Sequence, residues 1–199
     1  EETYNKIEQK ILKPLLAGMK RKGHPYQGLL FLGLMIKDNH PYVVEYNIRL
    51  GDPEAQTLLP LLADDLAEIF EASLVPQGLT PYRERASLNF QQSSVHVVAT
   101  SQGYPSLHGE PLSVGHQIQF PKGLVPTNED GREAWLFFAG VDKNKAGRLM
   151  NQGGRVLGVT TVGSEVEEAR KKAYKVMGEI KFEGMFYRKD IGANVGPKA

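Results

Sequence analysis

The sequence predicts an α+β chain: a helix plus an antiparallel hairpin, followed by a small antiparallel β domain with one main helix. Three observations carry this. Tyr4, Ile7, Ile11, Leu15 and Met19 recur at helical steps. Two strand-like runs, residues 28–36 and 42–49, flank a short turn. Beyond residue 84 several short strand patterns alternate with Gly/Pro/Asn turns, and a single amphipathic stretch covers 164–180.

The chain has 199 residues, enough for one large domain or two small ones, and its formal net charge is +1. Neither nucleic acid nor a membrane surface finds a bulk electrostatic partner in it. No apolar run approaches the ~20 residues of a membrane helix, and Glu1-Glu2-Thr3 opens nothing like a signal peptide. Cysteine is absent, which excludes disulfides, thiolate catalysis and cysteine-ligated zinc and suits the cytoplasm. The five histidines show no metal spacing.

The first helix spans 2–22, kinked or split at Pro14 and stopped at Gly23 after Lys20, Arg21 and Lys22. It starts without a capping signal, as if cut from a longer polypeptide. Gly28 to Ile36 is continuously apolar and reads as a strand buried on both faces. Lys37-Asp38-Asn39-His40-Pro41 turns, and Tyr42 to Arg49 returns. Pro53 suits the first turn of a short helix through Leu58 to Leu62, and Asp64 or Asp65 starts another. Two prolines and a glycine across 76–84 mark a boundary, dividing the chain into 1–80 and 81–199. Ser93–Thr100, His116–Phe120, Trp135–Ala139 and Arg155–Val162 are the strands of the second part, with Trp135 in its core. The main helix is capped by Ser164 with Glu167 as capping-box partner, and Val166, Ala169, Ala173, Val176, Met177 and Ile180 form its inner face. Asn194 to Ala199 reads as a frayed tail.

The returning strand says most about chemistry. Alternation puts Val44, Tyr46 and Ile48 on one face and Glu45, Asn47 and Arg49 on the other. A carboxylate and an amide oxygen are hard donors suited to Mg²⁺; a guanidinium suits phosphate oxygens. On the strand alone, a wet face with no ligand is the simpler reading.

The string from Val44 to Gln56, with Glu45-x-Asn47-x-Arg49 continued by Leu50-Gly51-Asp52-Pro53-Glu54, resembles the signature of the glycinamide ribonucleotide synthetase family. Gly18-Met19, the apolar 28–36 strand, Arg85-Ala86-Ser87, Gly103-Tyr104-Pro105, Gly153 to Thr160, and Phe182 to Gly192 are similar to that family in order and spacing. The resemblance covers essentially the whole chain. It implies an ATP-grasp carboxylate–amine ligase of de novo purine synthesis, joining glycine to 5-phosphoribosylamine through a glycyl phosphate. Residues 1–80 would close the ATP-grasp domain and 81–199 form the small C-terminal domain. The family's N-terminal half, absent from these residues, would be a required partner. A non-catalytic packing or dimerisation module is the alternative, and a homodimer stays open.

The resemblance also assigns roles. Glu45 and Asn47 match Mg²⁺ or Mn²⁺ ligands, and Arg49 is placed to hold the transferring phosphoryl group of ATP. The preceding strand offers no acid, so the metal would lean on nucleotide phosphates. Asp52 or Glu54 would receive the substrate ammonium, with the backbone of the Gly51 turn cradling an anion, or Asp52 and Glu54 serve only as a helix start. Arg155, assisted by Arg188 or Lys189, would bind the ribose phosphate, or be a solvated arginine after a tight turn. Two places depart from the family: Phe138-Ala139-Gly140-Val141-Asp142-Lys143 replaces a His-Ala-Gly-Thr-like stretch, and Gln102 stands where glycine is expected.

Overall fold

A computed structural model describes residues 2–84, 91–121 and 134–193. The Arg85-Ala86-Ser87 block and the tail from Asn194 lie outside the described residues. The backbone gathers into two compact units, Glu1–Ala55 with Ala63–Ser87, and Gln56–Leu62 with Leu88–Ala199.

In the first unit, α1 (Glu2–Ile7) and α2 (Lys13–Arg21) are joined by a π turn at Glu8–Leu12. The expected break at Pro14 takes this form. Proline cannot donate to the preceding turn, and the Lys13 N–H reaches back five residues to the Glu8 carbonyl. Gly23 follows with φ +81, as a C-terminal glycine stop requires.

β1 (Phe31–Lys37) and β2 (His40–Asn47) form an antiparallel pair. Asp38 and Asn39, at φ 49 and 57, make the two-residue turn whose hand matches strand twist. The pairing Leu34↔Val43 follows Gly33↔Glu45, so Val44 is an extra, bulged residue. Two expectations are corrected. β1 holds no buried residue: Phe31 to Leu34 are half-buried and Met35 and Ile36 are exposed, with β2 as its ladder partner among the described residues. β2 ends at Asn47, with Ile48 and Arg49 in a bend, because the approach to Gly51-Asp52-Pro53 leaves the ladder.

α3 (Glu54–Leu58) starts after Pro53 and tightens into a 3₁₀ turn at Leu59–Leu61. Asp65 caps α4 (Leu66–Ser73), accepting from the N–H groups of Ala67 at 2.7 Å and Glu68 at 3.4 Å. α5 (Thr80–Glu84) lies within the stretch read as a boundary.

In the second unit, β7 (Arg155–Gly163) is the central strand between β3 (Ser93–Thr100) and β4 (Ala134–Phe138), all antiparallel. β5 (Val141–Lys143) and β6 (Leu149–Asn151) form a separate hairpin. Residues 116–120 are no strand; Gln117 bridges Met150 and Gln119 bridges Lys181 singly. α6 (Val166–Glu179) packs its Ala169, Ala173 and Met177 face on the sheet, with Ile180 just beyond. Val97, Val156, Leu157 and Val159 complete the core, while Trp135 is only half-buried.

The cap of α6 is also corrected. Glu168, not Glu167, accepts from both the Ser164 N–H and its hydroxyl, each at 2.7 Å. Glu167 instead lies 3.7 Å from Arg170 and Lys171. Glu165 occupies the N-cap, so the helix begins one residue later than a Ser164 cap requires, and Glu168 becomes the residue that turns back.

Candidate functional site

Glu45 and Asn47 lie on β2, two residues apart with no bulge between them, so both side chains leave the same face of the hairpin. Glu45 faces Gly33 across the ladder. A Cβ at Gly33 would stand 2.8 Å from the Glu45 Cγ; the glycine is what lets this carboxylate arm lie over β1. Asn47 opposes Phe31 and is half-buried, whereas Glu45 is exposed. Arg49, in the bend, is exposed and donates from Nη1 to its neighbour's carbonyl at Leu50, 3.0 Å away. The row expected along one strand is therefore two residues on the strand and a third in the bend after it.

The turn that follows is tightly packed. Gly51 is buried, and its carbonyl accepts from the Ala55 N–H at 3.0 Å. The Glu54 carboxyl folds back onto it: a Cβ at Gly51 would lie 2.6 Å from Glu54 Cδ. Any larger residue at 51 would displace Glu54. Asp52 is exposed beside the cis bond to Pro53.

The donors present suit a metal only in a limited way. Among the described residues no three His, Asp or Glu side chains gather around a common point. One carboxylate and one amide oxygen are too few for a closed protein site. They match Mg²⁺, which keeps waters and phosphate oxygens as most of its ligands.

The remaining candidates sit in the second unit. Arg155 opens β7, half-buried, and its carbonyl accepts from Gly140 at 2.9 Å. Arg188 is forked onto Asp190 through Nε at 2.9 Å and Nη2 at 2.6 Å. That hydrogen-bonded pairing lifts the guanidinium pKa and lowers that of Asp190. Lys189 is exposed, and its carbonyl is held by Arg170 Nη2 at 3.0 Å. Asp190 takes Nε and Nη2 of Arg188, so an anion drawn there meets a guanidinium whose charge is already paired.

Composition and strand patterns gave no sign of a polar knot in this unit. Asn151 is fully buried. Its Nδ2 donates to Ser101 Oγ and to the Ser113 carbonyl, each at 2.8 Å, and its Oδ1 accepts from the His116 N–H at 2.7 Å. Ser101 passes its own proton to the Gly153 carbonyl at 2.8 Å. His116 contacts Ser113 Oγ through Nε2 at 2.9 Å and Glu183 through Nδ1 at 3.2 Å. The signal available in the sequence was the set of blocks around Gly103, Gly153 and Gly184; the knot is what brings them together.

A hairpin presenting Glu and Asn beside a tight Gly-Asp-Pro turn carries the donor types that phosphoryl-transfer sites use, and comparison with known proteins gives the chain its family. Residues 1–55 match the model of the phosphoribosylglycinamide synthetase ATP-grasp (A) domain, and residues 94–194 that of the phosphoribosylglycinamide synthetase C domain. The chain belongs to the phosphoribosylglycinamide synthetase family. It is 40% identical over 194 residues to a phosphoribosylamine–glycine ligase of Caldanaerobacter subterraneus, covering 97% of this chain and 42% of that protein. A bifunctional purine biosynthetic protein of Dictyostelium discoideum is 40% identical over 189 residues, 92% of this chain and 22% of its own length. The crystal structure of phosphoribosylamine–glycine ligase from Thermotoga maritima superposes with a TM-score of 0.73 at 35% identity, covering 96% of this chain and 43% of that one. The chain thus spans less than half the length of these relatives.

Proposed function

We propose that these residues are the C-terminal part of an ATP-dependent ligase that joins glycine to 5-phosphoribosylamine, releasing ADP and phosphate. The carrying observation is the continuous Glu45-x-Asn47-x-Arg49 row and Gly51–Glu54 turn, within a chain that matches both family domains. The reading divides the chain into 1–80, the close of the ATP-grasp domain, and 81–199, the small C-terminal domain. It places the enzyme in the cytoplasm.

The chemistry asked of the protein is placement and charge. A glycine carboxylate oxygen attacks the γ-phosphorus of ATP, and ADP leaves. The amine nitrogen of phosphoribosylamine then attacks the glycyl carbonyl carbon, phosphate leaves with the acyl C–O bond pair, and the nitrogen gives up one proton, which the departing phosphate can take. Arg49 holds the transferring phosphoryl oxygens. Glu45 and Asn47 hold Mg²⁺ or Mn²⁺, which when bound neutralises β- and γ-phosphate charge. Asp52 or Glu54 receives the glycine ammonium. Arg155 takes the ribose phosphate, with Lys189 as the more available helper, since Arg188 is committed to Asp190.

The test pairs this chain with the preceding half of the Caldanaerobacter relative and follows ADP release dependent on both glycine and phosphoribosylamine. Activity from the pair is expected, with a Glu45→Ala loss of at least about a hundredfold. No release at saturating Mg²⁺ would leave the chain a packing module. Mn²⁺ should also broaden the NMR signals of Glu45 and Asn47 in the unreacting chain; broadening confined elsewhere would remove the metal assignment.

A further inference from the structure

The second unit holds a cleft of about 400 Å³ between the Ser101–Tyr104 loop and the Gly184–Phe186 turn, within the size range of small-molecule sites. Its frame is fixed from below. Asn151 ties Ser101 to Ser113 and His116. Thr100 and Phe186 exchange backbone hydrogen bonds of 2.8 and 3.0 Å, so the two walls share one register. Gly154 carries no side chain because the Tyr104 ring lies where its Cβ would be. Gly184, at φ +70, would bring a Cβ within 3.1 Å of Gln102 Cβ.

The lining chemistry is distinctive. Among the described residues no charged side chain lines the cleft. Tyr104 and Phe186 are 44% and 61% exposed, large apolar rings left open to solvent on the two walls. The Ser101 hydroxyl is already engaged on both sides. Gln102, exposed at the rim, brings an amide side chain with both donors and an acceptor. A bare phosphate has no cation to meet here. A flat, uncharged ring with a donor–acceptor edge does: rings stack on Tyr and Phe faces, and an amide pairs in two places with the N6 and N7 edge of adenine.

We propose that this cleft binds an adenine ring, stacked against Tyr104 and Phe186 and read at its edge by Gln102. The cleft lies wholly within the second unit, and the assignment stands whether or not the ligase reading holds.

The whole chain, ¹⁵N-labelled, is titrated with adenosine, inosine and ribose 5-phosphate. Adenosine is expected to shift the amides of Gln102, Gly103, Gly184 and Phe186, and to bind more tightly than inosine, whose O6 cannot donate. Phe186→Ala, at an exposed position, should weaken adenosine about tenfold. Gln102→Gly should erase the preference for adenosine over inosine. Circular dichroism of each variant confirms its fold. Shifts from ribose 5-phosphate but not adenosine, shifts confined to residues 31–54, or adenosine binding unchanged in Phe186→Ala would each overturn the assignment.

Discussion

In the second unit three strands and α6 meet face to face, and Val97, Ala99, Val156, Val159, Ala169, Ala173 and Met177 lose all contact with solvent. In the first, β1 and β2 pair only with each other, and Ile11 is the single hydrophobic residue that becomes buried among those described. The difference does not follow apolar content. Leu29 to Ile36 is more apolar than Arg155 to Val162, which carries an arginine and two threonines. What differs is the number of layers. A lone two-stranded hairpin is at best marginal in water, and Val44, Tyr46 and Ile48 on and just beyond β2 are exposed. Apolar sequence sets the potential for burial; a partnering element realises it. The matched relatives, more than twice this length, carry further elements.

Truncation should expose this contrast most strongly. Leu157→Ala, at the centre of the three-stranded sheet, is expected to cost about 2–5 kcal/mol, read from the urea midpoint of the second unit. Met35→Ala, at an exposed site on β1, should change stability by less than about 0.5 kcal/mol. Equal costs at both sites would mean that the hairpin is packed after all. Asn151→Ala comes next. It leaves the His116 N–H and the Ser113 carbonyl without their partner, a penalty of roughly 1–3 kcal/mol for a buried group, seen as a fall in Tm. An unchanged Tm would show that the knot is replaceable by water. Asp65→Ala removes an N-cap in the first unit at a cost of about 1 kcal/mol. Because few buried contacts surround α4, the loss should stay local, as faster amide exchange at Ala67 and Glu68 without a shift of the second unit's unfolding. Protection unchanged at both amides would count against the cap.

The second unit was readable because its elements are self-consistent. β-branched runs between turn residues mark β3 and β7, and the spacing of Ala169, Ala173 and Met177 marks the buried face of α6. The turns were readable too: Asp38-Asn39, Gly23 and Asp65 each carry a backbone preference that neighbours do not override. Three things were not. The burial of β1 depends on what lies across its face, which no local pattern encodes. The end of β2 at Asn47 depends on how the chain must approach Gly51, whose space is filled by Glu54 from three residues on. The Asn151 knot joins residues 35 to 50 apart, and a lone asparagine in a short strand gives no notice of it. At the candidate site the residue types were legible and their arrangement was not: Arg188 reads as a free cation until Asp190 is seen in its fork.

The smallest of the expected effects concerns the cap of α6, and it separates the two acids that compete for it. Hydrogen bonds from Ser164 come first, then the Lys172 ammonium, in lowering the Glu168 pKa from 4.5 to about 2. The Lys172 contact is 2.9 Å. A carboxylate with a depressed folded-state pKa stabilises the fold fully above its unfolded value and loses that contribution as pH falls through the folded one. Glu168 should therefore support α6 above about pH 5 and progressively less between pH 4.5 and 2. In Glu168→Gln the amide can still accept from Ser164 but cannot attract Lys172. The Tm of the variant should lie below that of the parent at pH 6, and the two should converge near pH 2. Glu167→Gln, which removes only the longer contacts to Arg170 and Lys171, should leave a nearly unchanged Tm at every pH. If Glu167→Gln instead shows the converging profile and Glu168→Gln does not, the capping box read from the sequence is the correct one, and the four-residue return to Ser164 is not the contact that starts the helix.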